Sequence, residues 1–154
     1  MDETKDNRLI GASDDLVVQS SWISDRFEGL FAGRPFAQGE VICKYEGEIF
    51  QTATALRLAD KSYLMRLGEQ CYVDTISNYC CKARYINDCR NPAGYNVRFD
   101  KRPEENCAYV IALRNINIGE ELFVDYGKWY WAGSPIVPLR MSFSELHRLR
   151  GAIS

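Results

Sequence analysis

Turns constrain this chain more than any other feature. Apolar residues come in short runs, and Gly, Pro, Asn or Asp stops each run before a long helix could form. Seven segments are β-prone: residues 16–21, 41–50, 63–67, 71–74, 96–99, 108–113 and 122–126. Between them, 24–29, 33–35, 37–40, 91–94 and 115–121 carry turn chemistry, and 100–106, broken by Pro103, reads as a polar loop. Helix is predicted over 52–60, capped by Thr52 or Thr54, and over 142–150, where Ser142 and Glu145 make a capping-box pattern. Residues 78–87 read as short-helical or irregular. No internal repeat is present. The pattern predicts one mostly β domain with short helices.

At 154 residues the chain can bury a core without disulfides. No apolar run is long enough to cross a bilayer, and Met1-Asp2-Glu3-Thr4-Lys5-Asp6 does not resemble a secretory signal. The net charge of −2 argues against gripping nucleic-acid phosphates as the main activity, and suits a basic protein or peptide partner instead. The six cysteines include no Cys-x-x-Cys pair, and His147 is the one histidine. That disfavours a metal site and predicts reduced, mostly buried thiols in an intracellular protein.

Four patches then stand out in order. They are Gly29-Leu30-Phe31-Ala32 with Gly39-Glu40-Val41-Ile42, then Tyr45-Glu46-Gly47-Glu48, then Arg84-Tyr85-Ile86-Asn87-Asp88-Cys89 with Asn91-Pro92, and finally Gly119-Glu120-Glu121-Leu122-Phe123-Val124-Asp125-Tyr126-Gly127. Together they resemble the SET domain of protein lysine methyltransferases. The sequence departs from the family pattern at Phe27, where a glycine is usual, at Asp88 and Cys89, where His and Ser are usual, and at Ala93 after Pro92. The flanking zinc segments of larger relatives are missing.

The resemblance implies a fold of small β-sheets with a pseudoknot-like threaded C-terminal segment, the Asn87 strand passing through a loop near Tyr126. It implies S-adenosylmethionine as methyl donor, S-adenosylhomocysteine as product, and no metal. Tyr126 matches the catalytic tyrosine; Tyr45, Met65 and Val124 match the substrate channel. Glu28, Gly29, Leu30, Tyr63, Arg84, Asn87, Asp88 and Trp131 match cofactor-contacting positions, with Trp129 the rival of Trp131 over the adenine. Gly29 would let the cofactor approach the backbone. Arg84 would pair with the cofactor carboxylate, an exposed structural ion pair being its alternative. Asp88 would serve through its backbone, its charge facing an adenine amino group or water. For each aromatic or apolar position, plain core packing is the competing account.

The expected organisation is a flexible segment over 1–15, a catalytic domain over 16–131, and a tail over 132–154 whose short helix completes it. The expected partner is a lysine-containing protein, a histone tail first and a non-histone protein second, with room for an accessory partner protein and none for a membrane. The location implied is the nucleus, with the cytoplasm as alternative. A catalytically silent binding module of the same fold is the rival function, motivated by Phe27, Asp88 and Cys89.

Overall fold

The structure is a computed structural model and describes residues 15–127. Trp129, Trp131, the basic residues of the tail and the helix expected over 142–150 lie outside the described residues. In chain order the strands are β1 (Leu16–Ser20), β2 (Glu28–Ala32), β3 (Val41–Tyr45), β4 (Glu48–Phe50), β5 (Leu64–Gly68), β6 (Cys71–Asp74), β7 (Val97–Arg102) and β8 (Cys107–Ala112). Among the described residues one α-helix, α1 (Thr52–Ala55), follows β4. The mostly β class predicted from the turns is the one observed.

Three small antiparallel sheets form: β1-β2, β3-β8-β7 and β4-β6-β5. The continuous apolar run of β8 needs cover on both faces. It takes the central position of its sheet and is buried almost throughout. Beside it, β7 is an edge strand, which accounts for its charge-rich sequence Val-Arg-Phe-Asp-Lys-Arg. Residues 100–102, read as loop, therefore extend this strand. Lys101 pairs with Ala108 and Arg102 with Cys107, and the turn shrinks to a 3-10 segment at Pro103–Glu105 closed by Asn106 in the left-handed region.

The β-prone stretch 41–50 splits between two sheets at Glu46-Gly47. Gly47 permits the crossing, since a Cβ there would stand 2.2 Å from the Asp74 carbonyl oxygen. The helix predicted over 52–60 is only α1. Its N-cap is Gln51 rather than Thr52 or Thr54, with no side-chain cap bond, and Ala55 alone is buried. Leu56 is exposed, so the segment has no apolar face with which to pack a longer helix.

Residues 122–126 do not form a continuous strand. Leu122 N–H donates to Leu30 O, whereas Val124 N–H donates to Asn87 O, so the segment passes from one partner to the next. A parallel bridge joins Asn87 to Phe123, and an antiparallel one joins Phe31 to Glu121. The core collects Leu30, Phe36, Ile42, Val73, Val97, Val110 and Leu122. Phe123 and Cys89 form a second cluster with Trp22. All six thiols are free, and four are buried.

Candidate active site

The geometry begins with where residues 86–88 are held. The Asn87 side-chain amide donates to Glu28 O at 2.9 Å and to Glu121 Oε2 at 3.2 Å. The Asp88 carboxylate turns inward. Its Oδ1 accepts from Arg90 N–H at 2.7 Å and from the Tyr95 hydroxyl at 2.6 Å, and its Oδ2 accepts from Tyr126 N–H at 3.0 Å. Burial and this carboxylate push the Tyr95 phenol up. The Tyr126 hydroxyl donates to Ile86 O at 2.6 Å. Tyr126 is thus fixed at both ends by one short stretch of chain. The charge expected to face adenine or water at Asp88 is spent on this clamp.

Above these residues opens a cavity of about 1250 Å³. Tyr45, Met65, Val124 and Tyr126, the proposed catalytic and channel residues, all line it. Glu28, Tyr63, Arg84 and Asn87 line it as well, as does Phe27. Tyr45 comes from β3, donates its hydroxyl to Tyr63 O at 2.5 Å, and rests edge-on against Phe99 at 5.6 Å. Met65 is half-buried on β5, and Val124 is buried in the core. Residues from β3, β5, the 86–88 segment and the 122–126 segment therefore meet at one place.

Arg84 belongs to no ion pair among the described residues. Its guanidinium lies 4.4 Å from the Tyr63 ring centroid and 4.9 Å from that of Tyr79, and Nη1 donates to Thr75 O at 3.2 Å. Its Nε is buried without a hydrogen-bond partner. An unmatched donor on a cationic side chain facing a cavity suits a ligand carboxylate. The residues present accordingly fit S-adenosylmethionine.

Gly29, Leu30 and Asp88 do not line the cavity. Leu30 is fully buried core. The space beside Gly29 is filled by protein, because a Cβ there would stand 2.1 Å from Glu121 Oε2. Glu121 is the residue that sequence reading missed. It is fully buried, accepts from Ser21 Oγ at 2.8 Å and Trp22 N–H at 2.7 Å, and holds Asn87 from below. Burial pushes its pKa up to about 7, against the lowering effect of those three donors. Asn96 was missed too. Its side chain donates to Glu121 O at 2.9 Å and accepts from Phe123 N–H at 2.8 Å, acting as a piece of backbone beside these two residues. The one available signal was a carboxylate at 121 immediately before an apolar run.

The SET domain family model matches residues 28–127. The chain is 26% identical over 133 residues to the N-lysine methyltransferase KMT5A-A of Xenopus laevis, covering 79% of this chain and 39% of that protein. It is 34% identical over 106 residues to the histone-lysine N-methyltransferase, H3 lysine-4 specific, of Debaryomyces hansenii, covering 64% of this chain and 10% of that protein. A similar match, 34% over 106 residues, is made to the protein of the same name in Yarrowia lipolytica. The chain thus spans about two-fifths or less of the length of these relatives. Together with the small antiparallel sheets and the four ordered patches, the match across most of the described residues makes this chain a member of the SET-domain family.

Proposed function

We propose that this chain transfers a methyl group from S-adenosylmethionine to the side-chain amine of a protein lysine. The observation that carries the reading is the convergence of two phenols on one cavity, each giving its proton to a backbone carbonyl. Toward any ligand, the Tyr45 and Tyr126 oxygens then act as acceptors, which is what an amine and a polarised methyl group require. S-adenosylmethionine, when bound, supplies an electrophilic methyl on a sulfonium.

The chain's own part is alignment and desolvation. Arg84 would hold the cofactor carboxylate, with Tyr63, Asn87 and Glu28 at the same end of the cavity. Lysine has a reference pKa of about 10.4, and the apolar walls at Met65, Val124 and Phe99 favour its neutral form. Tyr126 would orient the amine, and fixing it through Ile86 and Asp88 reduces the entropy lost on alignment. Gly29, Leu30 and Asp88 would contribute indirectly, by shaping the backbone of the cofactor end.

The names of the relatives support a histone lysine as substrate, and with it a nuclear location. The test is incubation of the full chain with labelled S-adenosylmethionine and a panel of histones and other proteins, followed by mass spectrometry of methylated lysines. Cofactor binding without transfer to any protein would favour the silent-module reading. Tyr126→Phe should lower the transfer rate at least tenfold, about 1.4 kcal/mol in the barrier, with cofactor binding by calorimetry retained. An unchanged rate removes Tyr126 from its role.

A further inference from the structure

One wall of the cavity carries charge that the mechanism leaves unused. Arg66 on β5, with Arg98 and Lys101 on β7, all line it. Among the described residues none of the three has a carboxylate within ion-pair distance. Arg66 reaches only the carbonyl of Gly68, at 3.2 Å from Nε. The nearest acids are shared with Arg102: Asp100 and Glu105 face it at 2.9 and 3.7 Å, and Asp100 also lies within electrostatic reach of Arg98, leaving Arg66 and Lys101 as the cations that no acid among the described residues opposes. Lost hydration and the Arg66 guanidinium together lower the Lys101 pKa, with no anion opposing them.

The position of this wall is as informative as its charge. Both β5 and β7 are edge strands, and they face the same cavity. Phe99, between Arg98 and Lys101, packs its ring on Tyr45. Lys101, two residues on and on the same face of β7, therefore stands next to the phenol assigned to the lysine channel, with Arg66 within electrostatic reach of it. They oppose the sign of the whole chain, whose net charge is −2. Unneutralised cations beside a substrate channel, in an otherwise acidic protein, complement an anionic substrate segment.

We propose that the β5–β7 wall selects protein segments whose target lysine is flanked by aspartate or glutamate. The proposal rests on the methyl-transfer reading and narrows its substrate class, away from the basic tails that the names of the relatives suggest. Charged side chains on an edge strand also deter pairing with other chains. That role alone predicts no preference among flanking residues.

The experiment uses the full chain saturated with S-adenosylhomocysteine and short fluorescent peptides with a central lysine flanked by aspartates, alanines or arginines. Three exposed ion pairs, each worth roughly a 1.4- to 5-fold gain, should make the aspartate-flanked peptide bind about tenfold tighter than the alanine-flanked one. The advantage should shrink as salt rises. Arg98→Glu combined with Lys101→Glu should reverse the order of the aspartate- and arginine-flanked peptides. Methyl transfer from S-adenosylmethionine, followed by mass spectrometry, should rank the peptides the same way through KM. Equal binding of all peptides, no binding of any, or preference for arginine flanks overturns the proposal. So does tight binding of duplex DNA without preference among the peptides, which would assign the wall to phosphates. Preferred binding of the aspartate-flanked peptide without its methylation counts against methyl transfer and leaves the selection standing. Methylation without preference does the reverse.

Discussion

Residues 86–88 and the β5–β7 wall border the same cavity and are built by opposite means. Over 86–88, Ile86 O, Asn87 O, the Asn87 amide and the Asp88 carboxylate are bonded to residues far away in the chain, among them Glu28, Glu121, Val124 and Tyr126. On the wall, the backbone is held by ordinary strand pairing, while Arg66, Arg98 and Lys101 project without fixed acidic partners. Where geometry must not vary, every one of these polar groups is tied to a partner distant in the chain. Where a variable partner is to be met, the side chains keep their freedom and the sheet alone carries stability.

Substitutions should expose that asymmetry. Asp88→Ala removes the acceptor of Arg90 N–H, the Tyr95 hydroxyl and Tyr126 N–H. At roughly 1–3 kcal/mol for each donor left unpaired, urea unfolding should show a loss of about 4 kcal/mol. The next effect depends on pH. The folded pKa of Glu121, about 7, lies above the ordinary 4.5, so the folded state binds its proton more tightly than the unfolded state does. Stability from this group is complete below pH 4.5 and is lost as pH rises to about 7, a span worth about 3 kcal/mol. Glu121→Gln should flatten the pH dependence of the thermal midpoint across that window; an unchanged slope would mean that another group titrates there.

Gly29→Ala drives a methyl group into a carboxylate that three donors hold in place. It should cost about 2 kcal/mol in the same urea measurement, as overpacking does. At the small end, Arg98→Ala should change unfolding by less than about 0.5 kcal/mol, as surface substitutions do. A loss comparable to that at Asp88 would mean that the wall is structural, and the contrast between the two regions would fail.

Legibility in the sequence followed the distance between partners. The strand at Cys107–Ala112 and the hairpin of β5 and β6 could be read because their signals are local: an apolar run, and alternation around Gly68. Thr52–Ala55 was overextended because propensity was counted where no apolar face existed to bury. The family resemblance named eight residues that do line the cavity, although spacing alone would have left each as core packing. Glu121 could not be read as a buried support, because its partners Ser21, Trp22 and Asn87 lie 100, 99 and 34 residues away. No window along the chain contains the environment that makes a carboxylate there tolerable.

The same separations bear on how the protein is made. A ribosome delivers Ser21 and Gly29 long before Glu121, the side chain that fills the space between them. Until residues 120–126 emerge, β2 lacks the Glu120 and Leu122 backbone that closes its exposed side, and Asn87 lacks its lower support. Contacts this distant in the chain slow folding and defer it until residues 120–126 have been made. A nascent chain of this protein therefore holds its early strands without their last neighbour until that segment emerges, and that interval is when a holding chaperone would find them.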